Sequence, residues 1–216
     1  MKLTLTAPDL TPPVLESLLS HDFVEIGILY SANPDGRKRY PEAKLIAQTL
    51  DQYGDRCSLH ICGKTAREEL KEGKLEWLTK KADRVQINGS LVNYEQELQL
   101  IKYISEKQQV IFQYKEPVKM TVSLTTLENT NSSLLVDNSA GMGRSPIKWV
   151  SPYEFIKTGF AGGLNPENLK YELMRIVPIT KPDWWIDMET GLRDSEDNFV
   201  FDKAIRVIQI FSNMLT

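Results

Sequence analysis

Histidine and cysteine are almost missing from this chain of 216 residues, which contains two of each. The cysteines, Cys57 and Cys62, lie in the run CSLHIC. If that run is one extended strand, they are roughly 16 Å apart and face opposite ways, beyond the span of a disulfide. So few soft ligands argue against a zinc site, and we expect no metal. A basic stripe is lacking too: the net charge is −3, and the densest cationic run is only Arg37-Lys38-Arg39-Tyr40. Nucleic acid is therefore not an expected partner. No apolar run approaches membrane-span length, and the opening MKLTLTAPDLTPPV lacks the apolar centre of a secretion signal. The expectation is a cytoplasmic protein with no membrane partner. Finally, no glycine fingerprint for a dinucleotide follows the first apolar run, so cofactor-free chemistry is the simplest reading.

What is present is an ordinary globular composition, 41% hydrophobic and 25% charged, enough to fill a core. Strand-length apolar runs alternate with helical patterns, which predicts an α/β fold. The expected strands are Lys2–Ala7, Phe23–Tyr30, Ser58–Gly63, Arg84–Asn88, Val110–Tyr114, Leu134–Asn138, Lys157–Ala161 and Trp184–Met188. Helices are expected over Tyr40–Gln52, Arg67–Lys81, Tyr94–Glu106, Asn165–Arg175 and Phe199–Leu215, with short turns at most in Val118–Leu127 and Pro152–Phe155. The last long helix carries Phe201, Ala204, Ile205, Ile208 and Phe211 at helical spacing. This rhythm predicts one domain over residues 1–216, a closed parallel (β/α)8 barrel of the TIM class.

Three of the expected strands end in small residues: SLLVDNSAGMG over Ser133–Gly143, GFAGGLNPENL over Gly159–Leu169, and DWWIDMETG over Asp183–Gly191. Main-chain N–H groups close around an anion only where side chains are absent, and a helix start adds partial positive charge. Glycine-rich ends of neighbouring barrel strands therefore predict a phosphate pocket formed by Gly141, Gly143, Gly162, Gly163, Thr190 and Gly191. Asp137 and Asp187, at the C-terminal ends of two of these strands, stand where barrel enzymes carry catalytic groups. On expected strand three, His60 and Cys62 share one face and read as a buried cysteine and a satisfied core histidine. Of Trp184 and Trp185, one should point inward and the other toward the last helix.

From about Phe23 to Phe211 the chain resembles the phosphoribosylanthranilate isomerase family of tryptophan biosynthesis. The resemblance is carried by FVEIGILYSANPDGRKRYPEAKLIAQTL, ADRVQING, LLVDNSAGMG, AGGLNPENL and WIDMETGLRD. It implies an aldose–ketose (Amadori) isomerase in which a general acid and a general base work on opposite sides of a phosphorylated sugar. By the resemblance, Asp137 is the acid, Asp187 a further catalytic aspartate and Arg39 a clamp for a carboxylate. Gln86 and Asn88 then fall beside the substrate.

The family's base is a cysteine in a KICG motif on strand one, and here that strand reads LTLTAPD, with Thr6 at the cysteine position. A hydroxyl ionises far above a thiol's pKa of about 8.5 and does not replace it unaided. The motif ICG occurs at Ile61–Gly63, but on strand three. The leading expectation is a phosphate-binding barrel acting on a phosphorylated sugar or related small anion, with the original isomerisation weak or lost. A genuine isomerase with an unusual base (Cys62, or a water held by Thr6) is one alternative. A non-catalytic barrel that binds a phosphorylated metabolite or a protein is the other. A monomer and a homodimer are equally compatible with the sequence.

Overall fold

The computed structural model describes residues 1–89, 94–114, 130–137, 145–149 and 156–214. Eight parallel strands close into a barrel in chain order, with β8 returning to pair with β1. They are β1 (Lys2–Thr6), β2 (Val24–Ser31), β3 (Cys57–Cys62), β4 (Arg84–Ile87), β5 (Gln109–Tyr114), β6 (Ser132–Asp137), β7 (Lys157–Ala161) and β8 (Trp185–Met188). Each strand read from the sequence is present, within two residues at either end. Among the described residues, no helix is long and apolar enough to cross a membrane.

The helices depart further from expectation. None was expected between β1 and β2, yet α1 spans Pro12–Leu19 and buries Leu15 and Leu18. Its start signal is present in the sequence, because Thr11-Pro12-Pro13 places proline in the first turn, where no N–H partner is needed. α2 runs Ala43–Tyr53 rather than from Tyr40, since a residue preceding proline (Pro41) is held out of helical geometry. The helix expected over Arg67–Lys81 is two: α3 (Lys64–Lys71) and α4 (Glu76–Thr79). Gly73, at φ 75°, ends α3. Its N–H donates to the Leu70 carbonyl, and that of Lys74 to Glu69, a Schellman termination. α5 is Tyr94–Ser105, α6 is Leu169–Ile176 and α7 is Phe201–Ser212. The stretches Val118–Leu127 and Pro152–Phe155 lie outside the described residues.

Strand alternation divides the core into two layers. Leu3, Leu5, Ile26, Ile28, Leu59, Ile61, Val85, Phe112, Val136, Phe160 and Ile186 join the apolar layer beneath the helices. The opposite faces fill the barrel, and here its two halves differ. Ile111, Leu135, Ala161 and Trp185 form a small apolar cluster of their own on β5 to β8. On β1 to β4 most of the buried alternates are polar, Thr4, Thr6, Glu25, Ser58, His60, Arg84 and Gln86, with Leu29 and Cys62 packed together toward the strand ends. The two tryptophans divide as anticipated. Trp184 packs 6.1 Å from the Phe211 ring of α7. Trp185 lies under the Arg84 guanidinium, 4.7 Å from the ring centroid. Gly159 makes room for it, since a Cβ there would stand 2.1 Å from the indole.

At the floor of the polar half, Arg84 Nε donates to Glu25 Oε1 at 2.8 Å, and its Nη2 reaches Oε2 of the same carboxylate. The Thr4 hydroxyl also donates to Glu25 Oε2, at 2.9 Å. Burial by itself would push the Glu25 carboxyl up, but Arg84, Lys2 and Thr4 together hold it below the usual carboxylate range. Removing one partner leaves the other charge buried and uncompensated. Arg84→Met should therefore lower the unfolding free energy by about 3–5 kcal/mol in urea titration, whereas removing the exposed Lys107–Glu76 pair should leave the midpoint nearly unchanged.

Candidate functional site

At the C-terminal ends of the strands the described residues enclose a cavity of about 370 Å³, lined by Gln86, Asn88, Gln113, Asp137, Gly162, Gly163, Asp187, Glu189, Thr190, Gly191 and Lys203, among others. The ends of β7 and β8, with their glycines, therefore meet at one place, together with both aspartates. The close approach is specific. A Cβ on Gly191 would stand 2.0 Å from the Leu164 carbonyl oxygen, so only glycine lets these two stretches of main chain touch. Gly162 and Gly163 take φ values of 108° and 68°, a region that side chains disfavour. Gly141 and Gly143 lie outside the described residues.

The helix start beyond Gly163 differs from expectation. α6 begins at Leu169 rather than Asn165. The Asn165 side chain accepts from the N–H groups of Glu167 and Asn168 at 2.9 and 3.0 Å, and Asn168 Oδ1 accepts from the Asn165 N–H. Those amides are consumed locally. Any anion is left to the main chain of the glycine segments.

Asp187, 8% exposed, is gripped from opposite sides of the barrel. The Thr6 hydroxyl on β1 donates to its Oδ1 at 2.6 Å, and Gln86 Nε2 on β4 donates to Oδ2 at 3.2 Å. Burial raises its carboxyl to about 6; the two hydrogen bonds oppose that rise and the charge of Asp137 adds to it. Thr6 is fully buried, and its one proton is spent on Asp187. At the position of the family's cysteine, Thr6 thus holds an aspartate.

Gln86 Nε2 also lies 3.2 Å from His60 Nδ1 and 3.0 Å from Asn88 Oδ1, so two amide protons serve three acceptors. Gln86 can donate to His60 only when Nδ1 is the unprotonated ring nitrogen. Nε2 is buried and finds no partner among the described residues, which corrects the reading of a satisfied core histidine. Burial pulls His60 down to about 4. Cys62 accepts from Asn88 Nδ2 at 3.3 Å, and burial pushes its thiol up to about 12. A thiol so held stays protonated at neutral pH, which removes Cys62 as a substitute base.

Arg39 does clamp carboxylates, but they are the chain's own. Its Nε lies 3.1 Å from both oxygens of Asp197, and its Nη1 pairs with Glu189 Oε1. Asp197 is held further by Arg193 Nε at 2.8 Å. Arg39 borders a separate cavity of about 390 Å³ beside Leu10, Leu45 and Phe199, and in this structure it straps the loops after β2 and β8 together. Sequence reasoning missed Glu189 and Lys203. The only available signal for Glu189 was its place two residues past Asp187, just beyond the end of β8. Among the described residues, no three His, Cys, Asp or Glu side chains are grouped to hold a metal ion.

Fold and cavity together define a closed eight-stranded parallel TIM barrel with a glycine-walled pocket at its C-terminal mouth. No protein-family model matches the chain, and no curated protein matches it. Among solved structures it is similar to a monomer generated from the dimeric phosphoribosylanthranilate isomerase of Thermotoga maritima, at 16% identity and a TM-score of 0.69, covering 98% of each chain. It is similar to TrpF from Jonesia denitrificans at 14% identity and TM-score 0.69, covering 100% of this chain and 98% of that one. 3-Hexulose-6-phosphate synthase from Salmonella typhimurium follows at 18% identity and TM-score 0.63, covering 99% of both. These likenesses establish a shared barrel.

The raised Asp187 carboxyl sets a pH dependence. Its ordinary value is 3.8 and its folded value about 6, so the folded state binds the proton more tightly than the unfolded chain. The stability this contributes is full below about pH 4 and is lost as pH rises through 6. Relative to Asp187→Asn, the wild-type unfolding free energy should fall by up to about 3 kcal/mol between pH 4 and pH 7. Paired urea titrations across that range check the slope.

Proposed function

We propose that this chain is a phosphate-binding barrel that performs acid–base chemistry on a phosphorylated sugar or a related small anion. One observation carries the reading: main chain from Gly162–Gly163 and from Thr190–Gly191 borders the same cavity as Asp137 and Asp187. Glycine segments offer N–H groups without obstructing side chains, the requirement for gripping a doubly charged oxyanion. Lys203, whose Nζ donates to the Arg193 carbonyl at 2.6 Å, brings a cation to the same wall. The names of the similar barrels, phosphoribosylanthranilate isomerase and 3-hexulose-6-phosphate synthase, contain phosphorylated sugars, which supports this ligand class.

In this reading Asp137, at the end of β6, delivers a proton to a sugar oxygen. Asp187, fixed by Thr6 and Gln86, holds its carboxyl at the same cavity and sets the electrostatics around the reacting carbons. Phosphoribosylanthranilate itself should be a poor substrate, because the strand-one thiol is absent and Cys62 is held protonated. Turnover comparable to that of an ordinary isomerase would contradict this.

Calorimetric titration tests the pocket. Ribose 5-phosphate and inorganic phosphate should bind the wild-type protein, and Gly191→Ala should weaken that binding by about tenfold or more, some 1.4 kcal/mol, by forcing Thr190–Gly191 away from Leu164. Absence of binding by the wild-type protein would refute the proposal. Asp137→Asn should preserve binding yet abolish turnover of any substrate found, the outcome that separates an enzyme from a purely binding barrel.

A further inference from the structure

The cavity needs a group that removes a proton, and the candidates on β1 and β3 are disabled. Thr6 is spent on Asp187, Cys62 stays protonated, and His60 lies beneath the cavity at 1% exposure. Asp187 itself has both oxygens engaged by donors. Glu189 differs from all of these. It borders the cavity with Asp137 and Asp187, and its side chain remains 31% exposed. Its Oε1 is held by Arg39 Nη1, and among the described residues no donor reaches Oε2.

The location is also suitable. Arg39, from the loop after β2, pairs with Glu189 just past the end of β8, and the charge of Glu189 is felt by Tyr40 of that loop and by Cys62 of β3. The charged and titratable groups around it are Arg39 and Tyr40 from that loop, His60 and Cys62 of β3, and Asp187 of its own strand. Asp137 stands at the end of β6, across the barrel. An acid and a base on opposite walls are what aldose–ketose chemistry requires.

We propose that Glu189 is the general base of this pocket, taking a proton from the carbon beside the carbonyl of a phosphorylated sugar; this rests on the sugar-phosphate reading of the cavity. As that C–H bond breaks, its electron pair forms the C=C bond of an enediol while the carbonyl oxygen takes a proton from Asp137. Return of a proton from Glu189 to the same carbon, with the new hydroxyl proton going back to Asp137, restores the sugar; delivery to the former carbonyl carbon, with the other enediol hydroxyl giving its proton to Asp137, isomerises it. No further reactant is consumed. Arg39 keeps the carboxylate ionised and aimed, and burial opposes it by raising the carboxyl above its ordinary value.

Deuterium incorporation from D₂O into ribulose 5-phosphate, followed by proton NMR, tests this without a completed isomerisation. The wild-type protein should bind ribulose 5-phosphate and catalyse exchange. Glu189→Gln, which retains an oxygen for Arg39, should bind the sugar phosphate as the wild type does and lose exchange by tenfold or more. Arg39→Met should shift the basic group's limb of the pH–rate profile upward by roughly one unit or more, a movement that a purely structural Glu189 would not produce. Exchange by Glu189→Gln within tenfold of wild type overturns the assignment. So does wild-type binding without exchange, which leaves the anion pocket standing. Failure of the wild type to bind overturns the pocket reading, and the base assignment with it.

Discussion

A single carboxylate, that of Asp187, ties the barrel together where chemistry would take place. It accepts from Thr6 on the adjacent strand β1 and from Gln86 on β4, across the lumen. Were either donor absent, a buried anion would be left undersolvated, and its proton affinity would rise further. The same two bonds explain why Thr6 tolerates full burial and why Gln86 is fixed beside His60. Geometry at the mouth is thus inherited from hydrogen bonds made one layer below it.

The barrel interior is unequal. β5 to β8 supply an apolar plug built around Trp185, whereas β1 to β4 contribute threonine, serine, histidine, glutamine and a buried Arg84–Glu25 pair. Such a pair adds little stability over an apolar filling, yet breaking it is costly. Arg84 joins the halves, since its guanidinium serves Glu25 and also covers the Trp185 ring. Above this floor, the strap from Glu189 through Arg39 to Asp197 and Arg193 connects the loops after β2 and β8. Arg193 extends it to the Ala7 carbonyl, at 2.6 Å, at the end of β1.

Much of this was readable beforehand where a local signal exists. The strands were legible because apolar runs of strand length are bounded by breakers, and the convergence of Gly162–Gly163 with Thr190–Gly191 followed from their position at strand ends. Helices were less so. Pro12-Pro13 marked the start of α1, but its eight residues hold too few apolar positions to show a period. Gly73 divided a pattern that periodicity alone had joined. Arg39 was recognised as a carboxylate clamp, but no spacing rule identifies Glu189 and Asp197, more than a hundred positions away, as its partners.

By itself the sequence determined the alternation of strands and helices, the closed parallel barrel and the clustering of glycine at its C-terminal mouth. These follow from short-range sterics and from burial patterns that repeat along the chain. Only the tertiary structure decided which way the polar alternates face. In KLTLT, VEIGI and CSLHIC the same two-residue period would suit a sheet with one wet side, and closure of the barrel turns those polar faces inward instead. Protonation states followed from that enclosure, because removal from water, rather than residue type, sets the proton affinities of Asp187, His60 and Cys62.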